Sequence, residues 1–215
     1  MIVLSSDQLD QNHRQVPPDY YDQGIKKNFF QRYWHKKRFA ILPELLNSVG
    51  SEVLDLGCHG GLMTSQIANY LRIITTGLDI SEKAIEYAQK KYPHLKFQTA
   101  DIQKGIPFAD NSFDAVTAFD VLEHIPNLKF VSQEIRRVLR PKGIFILAVP
   151  RENALFKMVW FFWTKGRGKV WHDVHIHQFN SRILNDFFDS AGMRRVLEKK
   201  IHLGMYWIIK YQKAN

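Results

Sequence analysis

At 215 residues, 45% hydrophobic and 24% charged, the chain has the composition of a soluble domain with a sizeable core, which excludes fibrous and disordered classes. Its formal charge of +9 favours anionic partners (nucleic acid, acidic lipid, phosphorylated small molecules), although a basic, non-specific surface accounts for it equally well. One cysteine, Cys58, excludes an internal disulfide and fits a reducing, cytoplasmic compartment. No basic-then-apolar leader opens the sequence, and no apolar run approaches the roughly 20 residues of a membrane span.

Residues 1–24 are polar, are broken by Pro17-Pro18 and read as a loose arm. Over 25–49, Phe29, Phe30, Tyr33, Trp34, Phe39, Leu42 and Leu45 recur at helical spacing, with Pro43 dividing or kinking the helix. Lys26, Lys27, Arg32, Lys36, Lys37 and Arg38 are interleaved, so one face is expected to be greasy and the other basic. Such a segment is either a lid over a ligand site or a covering layer. Residues 1–50 are assigned as arm and helical lid, with Trp34 a candidate substrate contact, ahead of a domain spanning 51–215.

Val53-Leu54-Asp55-Leu56 reads as a short buried parallel strand. Gly57, Gly60 and Gly61 follow, then a helix over 62–71. Strand, glycine turn and helix together let a ligand approach the backbone and the free N–H groups of a helix start. The turn alone is a weak signal. It gains weight from Asp79, which closes a second apolar run close to the ~20 residues past the turn where an acid can hold ribose hydroxyls.

Ser81 is a good cap for a helix that Pro93 closes. A third strand over 95–100 ends at Asp101, and a fourth over 113–119 ends near Asp120. An amphipathic helix over 128–139, the turn Pro141-Lys142-Gly143 and a fifth strand over 144–149 come next. The alternation predicts an α/β fold: a doubly wound, mostly parallel sheet with its ligand at the carboxyl ends of the strands. Asp55, Asp79, Asp101 and Asp120 all fall at that rim. One acid at a strand end is often only a helix cap; four at one rim are less easily dismissed.

After Pro150 the chain changes character, and 151–180 reads as an insert. Residues 154–163 are almost wholly apolar, and 164–169 are basic. His172, Asp173, His175 and His177 follow. Ser181 caps a helix over 182–191, and runs over 195–201 and 205–211 complete seven strands with an antiparallel hairpin at the sheet edge.

These residues resemble the class I S-adenosylmethionine (SAM)-dependent methyltransferases, in particular the type 11 family. The matching motifs are Val53-Leu54-Asp55-Leu56-Gly57-Cys58, Gly77-Leu78-Asp79-Ile80-Ser81, Ala100-Asp101-Ile102, Phe113-Asp114-Ala115-Val116, Val121-Leu122-Glu123-His124-Ile125 and Leu139-Arg140-Pro141-Lys142-Gly143. The resemblance covers 52–149 well and the flanks loosely. It implies a Rossmann-like fold with SAM as cofactor. Gly57, Cys58, His59, Gly60 and Gly61 would pass under the methionine part, with Asp55 at the strand end before them. Asp79 would accept from both ribose hydroxyls and Ile80 would pack on adenine. Asp101 would bond the adenine amino group with Ile102 flanking the ring, and Phe119 and Asp120 would lie near the sulfonium. His59 departs from the family, which usually has glycine at the middle of the turn.

Methyl transfer from a sulfonium is an in-line displacement that alignment and desolvation can largely supply. His124, past strand four, is a candidate base for a protonated acceptor, with structural capping as the competing role. The histidine cluster has ligand chemistry, but no cysteine joins it, and strand alternation separates His172 from His175 and His177. No metal is expected there; the histidines are structural or face substrate. The apolar 154–163 run suits a buried helix, a greasy acceptor pocket or peripheral membrane contact. A small, hydrophobic or lipid-linked acceptor is the expectation. Nucleic acid is less favoured, because no Asp/Asn-Pro-Pro-aromatic motif follows strand four. A non-catalytic SAM-binding protein is the remaining alternative, and the sequence carries no signal for oligomeric state.

Overall fold

A computed structural model of the protein describes residues 15–47, 49–73, 75–165, 177 and 179–214. Three helices come first: α1 (Tyr20–Lys27), α2 (Phe29–Ala40) and α3 (Leu42–Leu45). Asn28 separates the first two and caps α2, its side chain accepting from the Gln31 N–H at 3.0 Å. Pro43 sits in the first turn of α3, where its missing N–H costs nothing.

Two expectations for this region need correction. The loose arm does not extend to residue 24, because α1 begins at Tyr20, which is buried together with Val16. The faces of α2 divide differently as well: Arg32, Lys36 and Lys37 are exposed as expected, but Gln31, His35 and Arg38 are buried, whereas Phe29, Phe30 and Tyr33 are exposed.

The apolar runs form β1 (Val53–Leu56), β2 (Thr75–Asp79), β3 (Lys96–Thr99), β4 (Phe113–Phe119) and β5 (Leu139–Pro150), which pair in parallel. The hairpin of β6 (Met193–Ile201) and β7 (Tyr206–Lys213) is antiparallel and attaches through β7 to β5. The seven-stranded order is β3-β2-β1-β4-β5-β7-β6. Strand order reverses between β1 and β4, and a crevice opens at the carboxyl ends of strands at such a switch point.

Side-chain alternation divides the core between the two sheet faces. Leu54, Leu56, Val116, Phe145 and Leu147 face α6 (Leu128–Val138) and α8 (Ser181–Ser190), meeting Val131, Ile135, Leu184 and Phe188. Val53, Ala115, Ile146 and Ala148 face the other way, onto Leu42 and Leu45 of α3 and Ile67 of α4 (Leu62–Leu71). A smaller cluster packs Ile85 and Ala88 of α5 (Glu82–Lys91) on Phe97 and Cys58. Asp22 of α1 is held on α5 by the Tyr87 hydroxyl at 2.9 Å and the Lys91 ammonium at 2.5 Å, which fixes the N-terminal helices near the crevice.

Two local readings also shift. Pro141-Lys142-Gly143 is not a turn before β5 but an excursion within it: Phe113 pairs with Leu139 and Ala115 with Ile144, with Lys142 at φ 62 between them. Arg140 binds Asp114 at 2.8 Å across this bulge. The cap of α8 is Asn180, not Ser181, with its side chain accepting from the Ile183 N–H at 2.9 Å.

Candidate cofactor and acceptor site

The turn after β1 is built from left-handed residues: Gly57 at φ 65, His59 at φ 47 and Gly61 at φ 78. Glycine is required at Gly57 for space as well, since a Cβ there would lie 2.3 Å from the Val121 side chain. The turn delivers the His59 N–H to Asp79 Oδ2 at 2.8 Å, and the turn after β2 delivers the Ser81 N–H to Asp79 Oδ1 at 2.8 Å. Two main-chain donors therefore fix the Asp79 carboxylate at the crevice. Each oxygen keeps lone-pair capacity for a further donor, which is the pattern two vicinal hydroxyls need.

Asp101 accepts from the Gln103 N–H at 2.9 Å and caps the 3-10 turn Ile102–Lys104. Ile80 and Ile102 are apolar walls of the same cleft, and Phe119, Asp120 and His124 line its far end. Asp120 takes φ 57 with its N–H on the Ala148 carbonyl at 2.9 Å, which turns its side chain toward α2.

There it meets Arg38, whose Nη1 lies 2.8 Å from Asp120 Oδ2. The guanidinium is only 4% exposed and sits 5.4 Å from the Phe119 ring and 5.1 Å from the Tyr206 ring. Burial opposes its charge, but the combined fields of Asp120, Tyr206 and Tyr21 outweigh burial and raise its pKa. One turn earlier, burial first and Arg38 second lower His35 to about 3, so this imidazole is neutral. Tyr21 of α1 covers the cleft, with its ring edge-to-face on His59 at 5.2 Å and on His35 at 5.4 Å. Burial, then Asp120, pushes its hydroxyl up.

Sequence reasoning missed Tyr21, Arg38 and Tyr206. Gln31, His35 and Arg38 fall at i, i+4 and i+7 on one stripe of α2, but in the sequence alone such a polar stripe reads as a solvated face.

Several expected contacts lie elsewhere. Asp55 does not line the cleft; it is 2% exposed, and its two oxygens accept from Thr64 and Thr117, each at 2.7 Å. Burial pushes it up to about 6 against those two bonds. Cys58 packs inward near Phe97, Gly60 lies under the Pro18 carbonyl, and Gly61 abuts Phe97; none of the three lines the cleft. Trp34 stacks on His202 at 3.8 Å, away from the cleft wall. His177 pins the insert to the loop after β4, its backbone N–H on the Glu123 carbonyl at 3.2 Å and its Nε2 donating to the Ile125 carbonyl at 2.9 Å. Glu123 is buried, and burial followed by Asp120 raises its carboxyl well above the usual range. His172 and His175 lie outside the described residues. Among the described residues, no group of three or more His, Cys, Asp or Glu is placed to hold a metal ion.

The cleft fits an adenosyl nucleoside chemically: one fixed carboxylate for a sugar, a second for a ring amino group, and apolar walls between them. Its volume is ≈100 Å³, below the ~300 Å³ at which ligand pockets begin, with Tyr21 and Asp120 among the residues that line it.

The sheet order and crevice define a Rossmann-like class I methyltransferase fold. The same fold is seen in a Pyrococcus horikoshii protein (TM-score 0.74, 22% identity, covering 94% of this chain and 98% of that one) and in the cyclase SpnF (TM-score 0.78, 17% identity, 100% and 98%). Residues 54–147 match the family model described as a methyltransferase domain. The chain is 37% identical over 153 residues to a sterol 24-C-methyltransferase of Gibberella zeae, covering 64% of this chain and 40% of that protein. It is 32% identical over 125 residues to a ubiquinone biosynthesis O-methyltransferase of Albidiferax ferrireducens, covering 55% and 49%. The chain thus spans less than two thirds of the length of these curated relatives. Over residues 54–147 it carries a class I methyltransferase domain of the type 11 kind, a class whose cofactor is SAM.

Proposed function

We propose that the chain transfers a methyl group from SAM to a small hydrophobic acceptor, with α1 and α2 as the cover that closes the site. The observation that carries this reading is Asp79, fixed by the His59 and Ser81 N–H groups in a cleft shared with Asp101 and Asp120. The bound cofactor supplies an activated methyl on a cationic sulfur. Asp79 accepts from the sugar hydroxyls, Asp101 from the ring amino group, and Ile80 and Ile102 hold the base between apolar walls. Arg38, once moved from Asp120, is the cation for the amino-acid carboxylate, and the freed Asp120 faces the cationic end. Tyr21 and the helices that carry it exclude water when closed, which strengthens each of these contacts.

The acceptor reading draws on the relatives, one named for a sterol and one for ubiquinone biosynthesis. It draws also on the apolar helix that follows β5. His124, at the cleft wall, is positioned to take a proton from a hydroxyl acceptor. The fold is shared with a protein named as a cyclase, so the fold does not itself carry the activity. The test is turnover of SAM against a panel of hydrophobic hydroxylated acceptors, with and without RNA as a competing acceptor. Release of S-adenosylhomocysteine with a panel member supports the reading; tight SAM binding without turnover on any of them overturns it.

A further inference from the structure

A helix that covers a sheet normally turns a polar face to water. α7 (Ala154–Thr164) does not. Phe156 is buried and Trp160 and Trp163 are half-buried behind it, whereas Met158, Val159, Phe161 and Phe162 face outward, Phe162 at 67% exposure. α2 repeats the pattern with Phe29 at 72% and Phe30 at 79%, beside an exposed Tyr33. Single exposed apolar residues are ordinary; a run of large ones on two neighbouring elements is not.

The two helices are joined by the 3-10 turn His202–Gly204 between β6 and β7. Leu203 at its tip is 86% exposed and held at φ 56, a conformation a bulky side chain rarely adopts. The turn is fastened on both sides. His202 stacks on Trp34 of α2 at 3.8 Å, and the Asn153 side chain, which caps α7, donates to the Gly204 carbonyl at 3.2 Å. Phe29, Phe30, Leu203, Phe161 and Phe162 therefore belong to adjoining elements of one edge, at the carboxyl end of β5.

Within the two helices the charge has one sign. Neither α2 nor α7 contains an acidic residue. Lys37 lies 5.8 Å from the Tyr33 ring and Lys165 lies 3.9 Å from the Phe161 ring, each cation bordering an exposed aromatic, and Lys157 is exposed beside them. Greasy aromatic tips with lysines alongside, on helices that carry no acid, match the chemistry of an anionic lipid interface, where apolar tips enter the acyl boundary and ammonium groups meet headgroup phosphates. No helix among the described residues is long and apolar enough to cross a membrane, so the contact is with the surface.

We propose that this edge docks the protein on an anionic bilayer surface, with Phe29, Phe30, Leu203, Phe161 and Phe162 immersed and Lys37, Lys157 and Lys165 at the headgroups. Docking does not rest on the methyl-transfer reading, because vesicle binding is measured without cofactor or turnover.

The test is sedimentation of the full chain with phosphatidylcholine vesicles and with phosphatidylcholine–phosphatidylglycerol vesicles. Binding to the second kind is expected, weakening as salt rises. It should fall at least about tenfold in F161S/F162S and again in F29S/F30S, all at exposed positions. K157E/K165E should weaken it without touching the apolar tips, which keeps the test valid if a serine variant folds poorly. Absence of binding to anionic vesicles at low salt overturns the proposal, as does binding unchanged in all three variants. Reversible self-association without vesicles, abolished by F161S/F162S, would also overturn it by making the edge an interface between copies of this chain.

Discussion

Arg38, in the last turns of α2, and Asp120, just past β4 in the wall of the cofactor cleft, meet at 2.8 Å. The pair ties a helix that precedes the sheet to the strand end where the sulfonium is expected. Its arginine is packed against the Phe119 and Tyr206 rings, so the contact is a brace.

The brace is measurable. Arg38→Met leaves Asp120 without its counter-charge and is expected to cost about 2–4 kcal/mol, toward the low end because Asp120 keeps some solvent. Urea unfolding of wild type, R38M, D120N and the double variant should give a coupling energy above about 1 kcal/mol. Additive effects would mean that the pair does not hold α2 down.

Strands β1 and β4 were legible because each is a short apolar run between turn signals, whereas β3, with only Phe97 buried, was legible from its place in the alternation of strand and helix. The faces of α2 were not legible. Charge and greasiness along that helix assign lysines and arginine outward, but Arg38 is drawn inward by Asp120, a partner far along the chain. Asp55 is a similar case. It reads as one of four rim acids, yet the register sets Thr117 directly opposite it, and with Thr64 it becomes part of the interior. Asp79 and Asp101 were legible because their partners are mostly local: the neighbouring turns supply the N–H groups.

His59 sits at φ 47 with its ring against Tyr21, where glycine would carry no backbone strain and leave the cleft wider. His59→Gly is expected to tighten SAM binding several-fold, a gain of about 1 kcal/mol, through the space it frees beside Tyr21. Calorimetric titration checks it. Weaker binding in H59G would make the imidazole a ligand contact.

His35 sets a pH dependence. Its pKa is lowered from 6.5 to about 3, so below pH 6.5 the unfolded chain takes up a proton that the folded chain refuses. Stability therefore falls as pH drops from 7 toward 3, with about 2 kcal/mol from this residue lost between pH 7 and 5. Asp55, raised to about 6, acts in the opposite direction over part of this window, so a difference between proteins isolates the histidine. His35→Phe should flatten the pH 5–7 slope of unfolding free energy by about that amount; an unchanged slope would contradict the buried neutral imidazole.

The account stands on Asp79 as the grip on the cofactor's sugar. The direct measurement is SAM affinity by calorimetry for wild type, Asp79→Asn and Asp79→Ala, with thermal unfolding confirming that each variant is folded. Two lost charge-assisted hydrogen bonds predict affinity about a hundredfold weaker in D79A, and a smaller loss in D79N, which keeps one acceptor. A folded D79A protein that binds SAM as tightly as wild type would contradict it.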